Sequence, residues 1–220
     1  MLNTFYNEDP NIIEIGVDEA GRGPMLGRVY SAAVILPKDN SFKHELMKDS
    51  KKFTSKKKIL LAAEYIKENS IAWTVNYRDE NDIDKYNIKS ATHMAMHDCI
   101  RKLEQYKKDS TLLLIDGNDF KPFTFLDNDD MIKQVKNVCV TQGDNKYTCI
   151  AAASILAKVA RDEYIEELCK DFPKLDEYYN LSKNKGYGTK EHIDGIKKYG
   201  ITKFHRRTFG LCQNSNLIEI

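Results

Sequence analysis

Acidic residues follow three predicted strands of this sequence, and they are its clearest candidates for chemistry. The runs at 12–15, 111–115 and 135–140 are mostly apolar and rich in β-branched residues, as buried strands are. In a mixed sheet whose central strands run in one direction, the ends of such strands gather at one edge and form sites there. The acids at these ends are Asp18, Glu19, Asp116 and Asp144.

This set of acids favours hard metal ions. Three or four clustered carboxylates with no matching histidines or cysteines are oxygen ligands for Mg²⁺ or Mn²⁺. Two such ions can activate a water and stabilise the leaving oxygen in phosphodiester hydrolysis. Asp18 and Glu19 are adjacent, so they point to opposite faces of a strand. From the residues alone, a metal-dependent nuclease, a metal-binding edge and a merely polar edge all stay open.

Basic residues are concentrated in two segments, although the net charge of the chain is only +1. One segment covers 48–58 and the other fills the C-terminal quarter, while a Gly21-Arg22-Gly23 turn directly follows the first acidic pair. Basic clusters with interleaved aromatic residues are typical of a surface that binds a polyanion. A solvated, lysine-rich surface explains the composition equally well.

The elements that must position these residues alternate between strands and helices. Five strands are predicted, at 12–15, 29–36, 71–77, 111–118 and 135–140. Three helices are predicted, at 55–68, 88–106 and 148–168. The first two strands should form an antiparallel hairpin, and the unbroken apolar strands indicate a sheet that is covered on both faces. Tyr30, Phe53 and Trp73 are expected in the core.

The composition excludes several classes of protein. With 220 residues, 41% of them hydrophobic, the chain is long enough for one large domain with a substantial core. It has no apolar run of membrane-spanning length and no signal-peptide pattern at its start. Its five cysteines include no Cys-x-x-Cys pair, which argues against a disulfide framework and a zinc ribbon. We therefore expect a cytoplasmic protein, in a reducing compartment, without a membrane segment.

The stretch Gly-Val-Asp-Glu-Ala-Gly-Arg-Gly-Pro at 16–24 resembles the signature of the type 2 ribonucleases H, the ribonuclease HII family. The resemblance continues in family order through Asp-Ser-Lys-Lys (49–52), Ile-Asp-Gly-Asn (115–118), Gly-Asp (143–144), Ser-Ile-Leu-Ala-Lys-Val-Ala-Arg-Asp (154–162), Lys-Gly-Tyr-Gly-Thr-Lys-Glu-His (185–192) and His-Arg-Arg-Thr-Phe (205–209). The last two motifs resemble the bacterial branch, whose members act as single chains.

The resemblance implies an α/β fold, an RNase H-like mixed five-stranded sheet flanked by helices. In a single domain, 1–220, the core would cover about 11–170, and a C-terminal helical extension, about 171–220, would dock on it. The implied enzyme hydrolyses the RNA strand of RNA–DNA hybrids. It also incises duplex DNA on the 5′ side of single embedded ribonucleotides, which leaves 3′-hydroxyl and 5′-phosphate ends. Two divalent ions, Mg²⁺ or Mn²⁺, are the implied cofactors, and the protein is expected to act as a monomer.

The same resemblance implies roles for individual residues. The metal-binding carboxylates would be Asp18, Glu19, Asp116 and Asp144, with Asp18 bridging both ions. The Gly21-Arg22-Gly23 turn would recognise the ribose 2′-hydroxyl and its flanking phosphate through backbone groups that only glycine leaves accessible. Tyr187 would stack on the deoxyribose that follows the ribonucleotide. Phosphate contacts would come from Lys51 and Arg161.

Three motifs have competing interpretations. His93 and His97 lie one helical turn apart, but Met94 stands where a zinc-protease helix needs a glutamate, so they are expected to be ordinary helix-face residues. Asp162 is expected to form a salt bridge or a cap and not to bind metal. The His-Arg-Arg run at 205–207 is interpreted as binding nucleic acid in preference to pairing with helix acids.

Two departures and two alternative functions complete the predictions. The segment 119–136 does not match the family, and Asp144 depends on a short motif and on its place before an alanine-rich helix. A ribonuclease HIII relative, which cuts long hybrids but acts poorly at lone ribonucleotides, usually carries an N-terminal domain that the arm before residue 12 cannot hold. A hybrid-binding protein without catalysis would not need all four acids.

Overall fold

A computed structural model gives the arrangement of residues 2–39, 41–103, 110–127 and 129–220. The strands in these ranges are β1 (Ile13–Ala20), β2 (Val29–Ile35), β3 (Ala72–Arg78), β4 (Thr111–Asp116), β5 (Thr124–Leu126), β6 (Ile132–Gln134) and β7 (Lys136–Val140). Five of them form a mixed sheet in the order β3-β2-β1-β4-β7, and β5 pairs with β6. The predicted α/β class and the five-stranded mixed sheet are confirmed.

Helices flank this sheet and continue beyond it. In the same ranges they are α1 (Lys56–Asn69), α2 (Glu80–Lys102), α3 (Thr148–Asp171), α4 (Pro173–Tyr179), α5 (Leu181–Asn184) and α6 (Lys190–Tyr199). Ser55 caps α1 by accepting a hydrogen bond from the Lys58 amide, as its residue type predicts. None of the helices that the structure describes combines the length and the apolar character needed to cross a membrane.

The direction of the strands brings the candidate acids to one edge of the sheet. β1 pairs in parallel with β4, and β4 pairs in parallel with β7, so that Asp116 lies opposite Val140. β2 runs antiparallel to β1 and β3, which confirms the predicted hairpin. Because parallel strands end on the same side, the chain after β1, β4 and β7 emerges at a common edge.

Helices cover both faces of the sheet. On one face, α3 approaches β1 so closely that a Cβ at Gly16 would lie 2.3 Å from the backbone of Cys149. Fully buried residues such as Ile150 fill this layer together with α1. On the other face, Ile15 of β1 packs in one cluster with Ile100 of α2. This burial on both sides explains the continuous apolar strands in the sequence.

The C-terminal helices pack on the far end of α3. A separate apolar cluster joins them to that helix, with Ile165 of α3, Leu175 and Tyr179 of α4, and Ile196 of α6 all nearly inaccessible. Leu26, from the loop between β1 and β2, lies in the same cluster. The chain after β1 is therefore buried against the C-terminal helices, a long-range contact on which the site depends.

Three parts of the chain differ from expectation. α2 consists of two helical segments that meet at Asn87, where φ is 65° and the backbone is not helical. The second segment begins at the predicted 88, whereas the first, which starts at Glu80 under the cap of Asp79, was not predicted. The predicted end of α2 near 106 lies outside the described residues. Trp73 was expected in the core but is 38% exposed, since β3 is an edge strand. The unmatched segment 119–136 forms the unpredicted β5–β6 hairpin and buries Phe123 against the α2 side of the sheet.

Candidate active site

A pocket of about 300 Å³ lies at the edge where β1 and β4 end. Its walls come from the end of β1 and the chain after it, the turn at 50–51, the end of β4, the turn after β7, α3 and the segment around 187. The structure brings all ten predicted site residues to this one pocket: Asp18, Glu19, Gly21, Arg22, Gly23, Lys51, Asp116, Asp144, Arg161 and Tyr187. Residues as far apart in the sequence as Asp18 and Tyr187 therefore meet in a single cavity.

The acidic pair at the end of β1 has two different environments. Asp18 is only 4% exposed, and its carboxylate accepts a hydrogen bond of 2.6 Å from the Glu19 amide. The hydroxyl of Ser154, on α3, also hydrogen-bonds to it. Glu19 is partly exposed and forms an ion pair of 3.5 Å with Arg22. The alternation along β1 therefore turns one carboxylate toward α3, while the other lies beside the Gly-Arg-Gly turn.

The other two acids are fixed by the turn that follows β7. Asp116 accepts a hydrogen bond of 2.6 Å from the amide of Gly143. A Cβ at Gly143 would lie 2.6 Å from the Ile150 side chain, so glycine allows this close approach. Asp144 is 6% exposed and accepts a hydrogen bond of 3.2 Å from the side chain of Asn145, the next residue in the same turn. The short Gly-Asp motif thus lies beside the acid at the end of β4.

Burial and like charges raise the pKa of three of these carboxyls. Burial is the main cause at Asp18, whose pKa lies well above its ordinary value, and the charges of Glu19 and Asp116 add to it. Burial also raises the pKa of Glu19, although Arg22 opposes the shift. At Asp144 burial again comes first, followed by the charge of Asp116. The pocket therefore holds negative charge that a bound cation would stabilise.

These residues fit divalent metal ions by the chemistry of their donors. Carboxylate oxygens select Mg²⁺ or Mn²⁺ over softer metals. Within the described ranges, however, no three acidic, histidine or cysteine side chains already converge on one point that could hold an ion. Mg²⁺ characteristically binds one or two carboxylates and completes its shell with waters and substrate phosphates. The four acids therefore suit ions whose coordination is completed by the substrate.

The Gly21-Arg22-Gly23 turn depends on glycine for two reasons. Gly21 has φ of 96°, a conformation that disfavours side chains, and a Cβ there would lie 2.2 Å from Nε of Arg161. A Cβ at Gly23 would lie 3.4 Å from the ring of Tyr187. The start of the turn therefore lies against the Arg161 side chain, and its end lies against the Tyr187 ring.

The basic and aromatic residues of the pocket differ strongly in exposure. Lys51 is exposed, in a short turn that Asp49 caps by accepting a hydrogen bond of 2.8 Å from its amide. Arg161 is only 2% exposed and donates to the Lys185 carbonyl at 2.8 Å. Its Nε is buried without a hydrogen-bond partner among the described residues. Tyr187 is 48% exposed, so its ring is available to a ligand.

Arg206 is the main positioning residue that sequence reasoning missed. It is completely buried and donates five side-chain hydrogen bonds to carbonyls of the loop between β1 and β2. These carbonyls belong to Gly21, Arg22, Pro24, Gly27 and Arg28, at 2.6–3.2 Å. The expectation that the His-Arg-Arg run binds nucleic acid is therefore wrong for Arg206, because its guanidinium is buried and donates its hydrogen bonds to carbonyls of the protein itself. Three basic residues in a row gave no local signal of this role.

The remaining motifs have structural roles. His93 lies 3.5 Å from the Asp119 carboxylate, and His97 makes a hydrogen bond of 2.7 Å with the Lys121 carbonyl. Both are helix-face residues of α2, as expected. Asp162 forms an ion pair with Lys158 one turn earlier on α3, which confirms the predicted salt bridge.

The sequence matches one known protein family over most of its length. The sequence model of the family described as Ribonuclease HII matches residues 15–212. The chain is also similar to the ribonuclease HII of Phocaeicola vulgatus, with 43% identity over 220 residues, which covers all of this chain and 99% of that protein. The match therefore includes the sheet, the pocket and the C-terminal helices.

Two solved structures share the fold. One is the structure of the PCNA:RNase HII complex from Archaeoglobus fulgidus, with a TM-score of 0.69 and 22% identity, covering 91% of this chain and 96% of that one. The other is Bst-RNase HIII in complex with Mn²⁺, with a TM-score of 0.61 and 20% identity, covering 86% and 70% of the two chains. At these identities the likeness shows a common RNase H-like architecture.

Proposed function

The chain belongs to the ribonuclease HII family of metal-dependent endonucleases that act on RNA–DNA hybrids, and we propose that it also incises duplex DNA at a single embedded ribonucleotide. The cut is made on the 5′ side of the ribonucleotide and leaves 3′-hydroxyl and 5′-phosphate ends. The observation that carries the proposal is the position of the exposed Tyr187 ring, which lines the same pocket as the four acids and lies against Gly23. In this pocket the four acids proposed for hydrolysis lie beside the tyrosine proposed for recognition of the sugar.

Four carboxylates of the pocket are proposed to hold two divalent ions, Mg²⁺ or Mn²⁺. The ions supply Lewis-acid stabilisation for the attacking and leaving oxygens of the phosphodiester. Asp18 would be shared by both ions, because the charges of Glu19 and Asp116 both act on its buried carboxylate. Asp144 completes the set from the turn after β7. The protein's part is to keep these oxygens desolvated and fixed by main-chain hydrogen bonds from residues such as Gly143.

Recognition of the ribose is proposed to come from the backbone of the Gly21-Arg22-Gly23 turn. Arg206 engages the carbonyls of Gly21 and Arg22 on the buried side of the turn. The peptide groups that it does not engage are left for the 2′-hydroxyl and the adjacent phosphate, both of which can accept from N–H groups. A side chain at Gly21 would collide with Arg161, and one at Gly23 would contact the Tyr187 ring, so glycine at both positions keeps the backbone of the turn accessible.

The RNA-to-DNA step is proposed to be read by Tyr187. A tyrosine ring packs well on a sugar that lacks a 2′-hydroxyl, because its face is apolar. Lys51 is proposed to contact a phosphate directly as an exposed point charge. Arg161 is nearly buried, so its contribution is proposed to be a phosphate contact from the pocket wall that also supports the turn.

Cleavage of duplex DNA that contains one ribonucleotide tests the proposal. Product should form with Mg²⁺ or Mn²⁺ and disappear with EDTA. Asp18→Asn should abolish cleavage while binding to the hybrid survives, because the carboxylate charge is lost without a change in shape. Asp194→Asn is the matched control, since Asp194 is an exposed acid on α6, outside the pocket. Cleavage by Asp18→Asn at the parental rate would exclude the assigned site.

Tyr187→Ala tests the specificity separately from the chemistry. It should reduce cleavage at a single ribonucleotide more than cleavage of a uniform RNA–DNA hybrid, because only the former presents a deoxyribose next to the cut. Tyr187→Phe keeps the ring and should retain the parental preference. An equal loss on both substrates would remove the proposed role of Tyr187, and cleavage confined to long hybrids would favour a ribonuclease HIII-like activity.

We also propose that residues 1–220 form one domain that acts as a monomer. The support is the sharing of α3, whose first half packs on the sheet and whose second half packs on α4. The Arg206 bonds to the loop after β1 tie the C-terminal segment to the sheet edge as well. Light scattering of the active protein should give the mass of a single chain, 25.4 kDa; activity confined to a dimer peak would contradict the monomer.

A further inference from the structure

Two histidines from separate segments form a buried pair behind the proposed reading tyrosine. His192, on α6, is 0% exposed, and His205, after it in the chain, is 1% exposed. Their Nε2 atoms lie 3.1 Å apart, within hydrogen-bond distance. Neither residue lines the pocket of about 300 Å³. The pair is therefore outside the residues assigned to binding and chemistry.

The partners of the pair fix the position of every ring proton. The Thr202 amide lies 3.0 Å from Nδ1 of His205, and because an amide N–H can only donate, this Nδ1 carries no proton. Nδ1 of His192 lies 3.0 Å from the carbonyl oxygen of Tyr187, which can only accept, so this Nδ1 is protonated. In neutral rings, Nε2 of His205 must then donate to Nε2 of His192. The chain of donors runs in one direction, from Thr202 through both histidines to Tyr187.

The surroundings of the pair favour the neutral rings that this arrangement needs. Tyr179 lies edge-on to His205, with ring centroids 4.8 Å apart, and fills the space beside both rings. Burial lowers the pKa of His192 and lowers that of His205 to about 3. A second proton on His192 would face the Nε2–H of His205, and a second proton on His205 would face the Thr202 amide N–H. The bonded pair is thus a fixed neutral unit at pH 7.

The end of this chain of donors is the peptide of Tyr187. Its carbonyl accepts from His192 and, at 2.8 Å, from the Thr189 amide. The two residues before it, Lys185 and Gly186, have φ of 53° and 85°, so the turn that presents the ring has an uncommon backbone conformation. The ring itself is exposed and packs against the backbone at Gly23. The orientation of the ring therefore depends on how firmly the Tyr187 peptide is held.

We infer that the hydrogen-bonded pair His192–His205 is a positioning element that sets Tyr187 against the Gly21-Arg22-Gly23 turn and so governs discrimination of a single ribonucleotide. The inference rests on the proposed function of Tyr187. Arg206, the next residue after His205, holds the carbonyls of that turn. Two consecutive buried residues thus fix the two sides of the reading site, one through His192 and the other directly.

Substitutions that keep or remove the hydrogen bonds test this role. His205→Phe preserves a ring of similar size but removes both bonds, whereas His205→Gln can still accept from Thr202 and donate to His192. Since misplacement of a binding group by about 1 Å can reduce rates a hundredfold, we expect His205→Phe to lower the preference for a single ribonucleotide over a uniform hybrid by about tenfold. His205→Gln should restore most of that preference. His44→Phe removes a partly buried histidine bonded to Thr148, away from the pocket, and should leave the preference unchanged.

The readouts separate this inference from a general loss of stability and from the proposed function. The ratio of kcat/KM on the two substrates is measured for folded protein only, as judged by circular dichroism. If His205→Phe does not fold, the ¹⁵N shifts of the parental histidines give the test, with His192 protonated at Nδ1 and His205 at Nε2. The opposite tautomers, or an unchanged ratio in folded His205→Phe, would overturn the inference. If Tyr187→Ala also leaves the ratio unchanged, the proposed role of Tyr187 fails as well.

Discussion

Replacing Arg206 with methionine tests most directly how the loop between β1 and β2 is held. The arginine is fully buried, and its three guanidinium nitrogens donate five hydrogen bonds to main-chain carbonyls. Methionine retains much of the aliphatic stem but has no donor. All five carbonyls, which belong to the loop between β1 and β2, would lose this hydrogen-bond partner at once.

The magnitude follows from the number of bonds and from the charge. A hydrogen bond to a charged group is worth about 1.5–3 kcal/mol, so five of them sum to about 8–15 kcal/mol. Much of this is offset by the cost of burying the guanidinium, which also lowers the pKa of Arg206 to about 9. Because each buried carbonyl that loses its partner costs about 1–3 kcal/mol, while removal of the buried charge offsets part of that cost, we expect a net loss of about 3–5 kcal/mol. That is a large part of the roughly 5–15 kcal/mol that stabilises a typical domain.

Urea unfolding followed by circular dichroism measures the effect. Arg207→Met is the matched control, because Arg207 is the exposed neighbour and surface substitutions usually change stability by less than about 0.5 kcal/mol. In the folded fraction, Arg206→Met should also lose cleavage at single ribonucleotides. A loss of less than about 1 kcal/mol, or an equal loss in both variants, would refute the reasoning that Arg206 clamps the loop.

Three other outcomes are expected. Glu80 is buried, its Oε2 has no partner among the described residues, and burial raises its pKa to about 6. Its contribution to the free energy of unfolding is therefore complete below about pH 4 and is lost as the pH rises through 6. Glu80→Gln should therefore exceed the parent in free energy of unfolding by about 2 kcal/mol at pH 8 and by little at pH 4; equal stability at pH 8 would contradict this. Mg²⁺ or Mn²⁺ should raise the Tm of the metal-free protein, and a shift of the same size in Asp18→Asn would exclude Asp18 as a ligand. If 1–220 is one domain, Trp73 fluorescence and circular dichroism should report a single coincident unfolding transition, not two.

The strand and helix pattern of the core could be predicted because it is encoded locally. The apolar run that ends at Asp116 and the serine that caps α1 have the same meaning in any context. Local signals failed where a neighbour decided the outcome. Trp73 is exposed because its strand lies at an edge of the described sheet and has no neighbour on one side. The first turns of α2 are a different case, since the Asp79 cap that starts them is a local signal that the sequence prediction missed. The β5–β6 hairpin is three residues long on each side, too short for a clear alternation.

The sequence by itself determined the chemistry that is available at this site. Residue types at strand ends supplied four carboxylates and a glycine turn, and the alternation of β1 separated Asp18 from Glu19 onto two sides. Only the tertiary structure decided how these groups are held. Arg206 bonds to carbonyls 178–185 positions away, and His192 bonds to His205, 13 positions further along the chain. Such contacts join groups that are distant in sequence, and they leave no periodic pattern in it. Only the folded structure therefore shows that Arg206 holds the loop between β1 and β2 from inside the protein.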